Sequence, residues 1–183
     1  MNLENKKKLD KLLNMMEEYW GEKITKEELV NESFFSREEK INLLNEGFKE
    51  AFSDKSGEKI DYLISAVGVY ELDSEFVKTF CKLSKEEWHD EHETIASIFQ
   101  WIHLPQTIDC IYELATSNFE KYQWDDNFVL VRKCCFALGD INTPKAKEKL
   151  ELLLQSDEEM IRKHAMEQLK RCDFTNKDVE WKD

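Results

Sequence analysis

Val131–Arg132–Lys133 returns as Ile161–Arg162–Lys163 thirty residues later. Between the two copies, Ala137–Leu138–Gly139–Asp140–Ile141–Asn142–Thr143–Pro144 reads as a helix stop followed by a helix start at Thr143–Pro144. A unit that ends one helix, turns, starts another and begins again is what an α-solenoid repeats, because each helix pair buries its apolar face only against the next pair. The expected fold is therefore all-α, an architecture that more often holds a partner than turns over a substrate.

The helix starts are well marked. Four S/T-x-x-E patterns occur, at Thr25/Glu28, Ser36/Glu39, Ser84/Glu87 and Ser156/Glu159. In each, the hydroxyl can accept from the amide three residues on while the Glu reaches back to the cap amide. Thr143–Pro144 adds a cap followed by proline at the first helical position, where a missing N–H is harmless. Apolar residues between these marks recur at helical spacing. Leu9, Leu12, Leu13 and Met16 form one stripe, and Ile41, Leu44, Phe48 and Phe52 the next. Later stripes include Ile95, Ile98, Phe99 and Ile102, then Phe128, Val131, Cys135 and Leu138. With two prolines and five glycines in 183 residues, there is little material for hairpins or glycine-rich phosphate loops.

The spacing pairs 58–70 with 74–83, 87–102 with 105–118, and 127–139 with 144–155, and leaves 158–170 as a closing helix. Turns at Asp73, Pro105 and Pro144 give steps of 32 and then 39 residues. The longer step contains an insertion, 118–127. Residues 1–55 read as a helical N-terminal cap or extension, 56–171 as the repeats and 172–183 as a C-terminal tail, in one continuous domain.

Residues 86–171 resemble a bacterial HEAT-repeat family. The resemblance is carried by Glu87–Trp88–His89–Asp90–Glu91–His92–Glu93, by the stretch from Leu104 to Ala115, by the stretch from Arg132 to Pro144, and by the stretch from Asp157 to Ala165. Small proteins of this kind resemble immunity proteins of polymorphic or contact-dependent toxin systems. The resemblance implies a non-catalytic module that binds and neutralises a cognate toxin domain. A general adaptor or scaffold, and a HEAT-repeat metal-dependent hydroxylase or lyase-like enzyme, are the alternatives.

Charge narrows the partner. The formal charge of −13 disfavours nucleic acid and anionic membranes. Residues 58–125 hold 5 Lys/Arg against 14 Asp/Glu, so the acid is concentrated in the middle of the chain. A solvated acidic surface explains this equally; a basic protein partner, such as a nuclease-type toxin, is the functional reading. No apolar run approaches the roughly 20 residues of a spanning helix, and the basic N-terminus has no apolar segment behind it, so no secretory leader is expected. Five cysteines without a C-x-x-C read as reduced, buried thiols of a cytoplasmic protein.

Two clusters stand out. His89 and His92, three residues apart beside carboxylates, could face one helical side and hold a metal; no third ligand recurs at repeat spacing, so neither metal nor cofactor is expected. The insertion joins Tyr122 and Trp124 to Asp125 and Asp126, where rings can supply anchoring area and charges can steer a cationic partner. The expected contact residues are Trp88, Glu91, His92, Tyr122, Trp124, Asp125 and Asp126. Packing of Tyr122 and Trp124 under the loop is the competing reading. Trp101 is expected in the core, and Arg132–Lys133 and Arg162–Lys163 in structural pairs. No nucleophile motif assembles, and the oligomeric state is open.

Overall fold

The computed structural model describes residues 1–31, 35–122 and 124–175; Gln123, inside the insertion, and 176–183 of the expected tail lie outside the described residues. The chain is all-α, with no strand among the described residues, and no helix there is long and apolar enough to cross a membrane. It divides into two compact units, Met1–Phe76 and Val77–Asp183.

The first unit holds α1 (Leu3–Trp20), α2 (Lys26–Asn31), α3 (Arg37–Asp54) and α4 (Gly57–Val69). Two of the expected capping boxes form here. The Glu28 amide donates to Thr25 Oγ1 at 3.1 Å and the Thr25 amide to Glu28 Oε2 at 2.6 Å. Ser36 and Glu39 exchange the same pair of bonds at 3.2 and 2.8 Å. The stripes led by Leu12 on α1, Leu44 on α3 and Ile64 on α4 are buried where these helices meet. A methyl group on Gly47 would lie 2.8 Å from a Leu63 methyl and 2.9 Å from one of Leu9, so the three helices approach through the missing side chain. Tyr70 donates its hydroxyl to the Leu12 carbonyl at 3.0 Å, and burial pushes its phenol up to about 12. Helix α4 thus packs with the N-terminal helices, and this unit runs on past residue 55.

The second unit holds α5 (Val77–Leu83), α6 (His92–Ile102), α7 (Ile108–Ala115), α8 (Val129–Ile141), α9 (Pro144–Leu153) and α10 (Glu159–Arg171). Helix α8 is its centre, in contact with α6, α7, α9 and α10, while α7 also touches α9 and α9 touches α10. Leu130, Val131, Leu138 and Ile141 of α8 are buried, each contributing roughly 1.5–3 kcal/mol of transfer free energy. Thr143 caps α9, accepting from the Ala146 amide at 3.2 Å, with Pro144 at the first helical position.

Gly139 lies inside α8; the residue that ends the helix is Asn142, left-handed at φ 53°, ψ 37°. Asparagine tolerates that region because its short side chain finds local hydrogen bonds, and here Asn142 Oδ1 accepts from the Phe174 amide at 2.6 Å. What Gly139 supplies is room, since an added methyl would stand 2.8 Å from Arg171 Nη2 and from Gln168 Oε1. Several local expectations are corrected. Ser84 turns its hydroxyl back to the Cys81 carbonyl at 3.1 Å at the end of α5, so no box forms with Glu87, and α6 begins at His92. Ser156 accepts from the Glu158 amide instead of boxing with Glu159. Trp101 is 79% exposed, beside an opening lined by Gln100, His103 and Asp140, and is not core.

The cysteines also depart from expectation. Cys81 of α5 and Cys110 of α7 form a disulfide, with Cα atoms 5.4 Å apart, within the span a bridge requires. Cys134 and Cys135 are buried thiols, and burial holds the Cys134 pKa well above its ordinary value and pushes Cys135 up to about 12.

Candidate functional site

The site is built from the segment between α5 and α6, residues 84–91, the start of α6, and the connection from α7 to α8, residues 116–128. The two clusters that stand apart in the sequence meet here. His92 opens α6 and is 0% exposed. Its ring stacks on His89 with centroids 4.3 Å apart and 14° between planes, and Phe119 covers its edge at 4.4 Å. Trp88 closes the stack edge-on against His89 at 5.3 Å, its indole N–H donating to Glu86 Oε2 at 2.8 Å.

Hydrogen bonds fix the state of both imidazoles. His92 Nε2 lies 2.9 Å from the Glu86 carbonyl and His89 Nε2 2.9 Å from the Leu83 carbonyl. A carbonyl only accepts, so each Nε2 carries a proton and each Nδ1 is left as an acceptor. The Glu91 amide fills His89 Nδ1 at 3.1 Å, and the Tyr122 hydroxyl faces His92 Nδ1 at 3.3 Å. The rings are therefore neutral and engaged at every nitrogen. Burial, then the neighbouring His89 and Lys121, lowers the His92 pKa to about 4; burial lowers that of His89 as well. A metal would have to displace these bonds, and no group of three or more His, Cys, Asp or Glu suited to a metal occurs among the described residues.

The connection from α7 is anchored on this stack. Lys121 pairs with Asp90 at 2.8 Å and also donates to the His89 carbonyl. Tyr122 is half-buried, and burial pushes its phenol up to about 12. Asp125 accepts from the Val129 amide at 2.6 Å and the Asn127 amide at 3.0 Å, which gives the first amide of α8 an acceptor. Phe128 completes the turn in the left-handed region at φ 49°.

The seven expected contact residues thus separate by position. His92 is enclosed and has no surface to offer; Tyr122 is spent largely on holding the loop, as is Asp125. Trp88 and Glu91 are half-buried at the edge of the stack. Asp126 is exposed, and Trp124 is 88% exposed at the tip of the loop. The sequence reading missed Phe119 and Lys121, the residues that join loop to stack. A buried aromatic and an amphipathic lysine in an insertion were the available signals. Of the repeated cations, Lys133 pairs with Glu93 at 3.1 Å and Arg162 donates to the Ser156 and Asp157 carbonyls, both at 2.7 Å, whereas Arg132 is exposed with its guanidinium 5.7 Å from the Phe136 ring and Lys163 is exposed.

The chain matches no family model, no curated protein and no solved structure.

Proposed function

We propose that this chain is a non-catalytic protein-binding module for a basic protein partner. In its fullest form the reading is an immunity protein that covers the working surface of a cationic toxin domain. The observation that carries it is Trp124, 88% exposed on a loop whose base is held by Lys121, Tyr122 and Asp125. Single exposed aromatics are ordinary on protein surfaces. An indole presented by an anchored loop, among exposed acids and on a chain of charge −13, is suited to act as an anchor. A rigid aromatic loses little entropy when it docks, and the surrounding charge speeds encounter with a cation.

The mechanism is occlusion. Charge brings the partner in, the indole inserts, and the helical framework blocks substrate. Affinity capture from the source cell should return a basic protein, encoded beside this gene if the immunity reading holds and elsewhere if the chain is an adaptor. With that partner, Asp126→Lys combined with Glu120→Lys is expected to lower the association rate about tenfold and flatten its salt dependence. Trp124→Ala should raise the dissociation rate. Asp125 is unsuitable for this test because it accepts from the Val129 and Asn127 amides and holds the start of α8. Unchanged association in the charge-reversed variant would remove the loop from the interface.

A further inference from the structure

A groove of about 780 Å³ opens beside the anchored loop, lined by the ends of α7 and α9 and the starts of α8 and α10. Its apolar wall includes Tyr112, Phe119, Phe128, Leu152 and Ile161. Leu152 remains 37% exposed, so this wall is not closed by the described residues.

The charge of the groove has a definite sign. Two helix carboxyl ends and two amino ends meet there. Each contributes about half an elementary charge, and the four offset one another. The balance is left to side chains, and the charged ones lining it are Asp125, Asp157 and Glu158, with no lysine or arginine among them. Arg162 stands behind the rim on the Ser156 and Asp157 carbonyls and cancels about one of the three negative charges. Lys149 lies 4.7 Å from the centroid of the Tyr112 ring and shares Asp109 with Lys145, so about one further negative charge is offset at that wall and the net negative charge is left at the Asp157–Glu158 rim. An apolar wall under a negative rim complements one kind of occupant: a large aliphatic side chain flanked by cations.

We infer that this groove docks an amphipathic basic segment of the protein partner, with an aliphatic side chain against Leu152 and Ile161 and lysines or arginines at Asp157 and Glu158. The inference rests on the proposed basic partner and adds a second point of attachment beside Trp124.

The test uses the full chain and two short synthetic peptides of equal length and charge, one alternating lysine with leucine, the other lysine with serine. The lysine–leucine peptide should bind about tenfold more tightly, with methyl NMR shifts concentrated on Leu114, Leu152, Leu153 and Ile161. Leu152→Ser, and separately Asp157→Asn with Glu158→Gln, should each weaken it several-fold. Trp101→Ala, exposed and outside the groove, should leave it unchanged, and circular dichroism would confirm that each variant is folded. Equal binding of the two peptides, or shifts centred on Trp124, would overturn the groove as the docking site while leaving the acidic-surface reading intact. Binding of neither peptide would overturn the groove too. Recovery of a non-basic partner by affinity capture would instead bring down the underlying functional reading.

Discussion

His92 shows how one side chain can look like a ligand in the sequence and serve as structure in the fold. Spacing of three residues to His89 suggested a shared helical face, but His89 precedes the helix and the stacking comes from the turn at 84–91. Periodicity could not reveal this, because the partners that neutralise the rings are main-chain groups and a tyrosine thirty residues away. The same geometry sets a pH dependence. A free imidazole titrates near 6.5, whereas His92 in the fold titrates near 4. Above about pH 6.5 both folded and unfolded chains are neutral at this position, and its contribution is intact. Between that pH and about 4 the unfolded chain takes up the proton first, so stability falls with acid; below 4 both states hold it and the loss levels off. The ceiling is on the order of 3 kcal/mol. Urea midpoints should therefore decline from pH 6.5 to 4, and the His92 ring signals should stay constant from pH 7 to 5. A ring titrating near 6.5 would contradict the enclosed stack. Tyr122→Phe should cost about 1 kcal/mol.

At the scale of the helix, side-chain pattern was legible and its punctuation only partly so. The stripes of α1, α3, α6 and α8 were visible because burial of one face enforces their spacing. Capping boxes formed at Thr25 and Ser36 but not at Ser84 or Ser156, since a hydroxyl can turn to a nearby carbonyl or amide as readily as it caps. Gly139 stands in the 137–144 stretch that carries the helix stop, yet it lies inside α8. In the fold it lets α10 approach α8, so that Arg171 reaches Asp140, whose other oxygen accepts from Gln100 at 2.7 Å. Gly139→Ala raises helix propensity, but the methyl meets the tips of Arg171 and Gln168 and displaces the Arg171–Asp140 pair, so a net destabilisation of about 1 kcal/mol is expected. Thermal unfolding would decide: a stabilised variant would mean that the glycine is a relic of helix termination and not a packing requirement.

On the scale of the molecule, the composition foretold an acidic, helical protein; the exposed position of Trp101 was beyond the sequence, and that of Trp124 stood open between a surface contact and packing under the loop. An amphipathic ring near the edge of a stripe satisfies the helical period whether it turns inward or outward. The pairing of Cys81 with Cys110 was likewise hidden, because it joins α5 to α7 across a sequence separation of 29 residues and neither cysteine belongs to a recognisable motif. That bond makes a closed ring of the segment carrying the histidine stack and all of α6. A single backbone cut between Lys82 and Asp109 would therefore leave one covalent molecule, which would keep its mass in a denaturing gel and separate into two fragments only with a thiol reductant. Limited proteolysis followed by paired gels should show this difference; fragments that part without reductant would mean that the bridge is not formed.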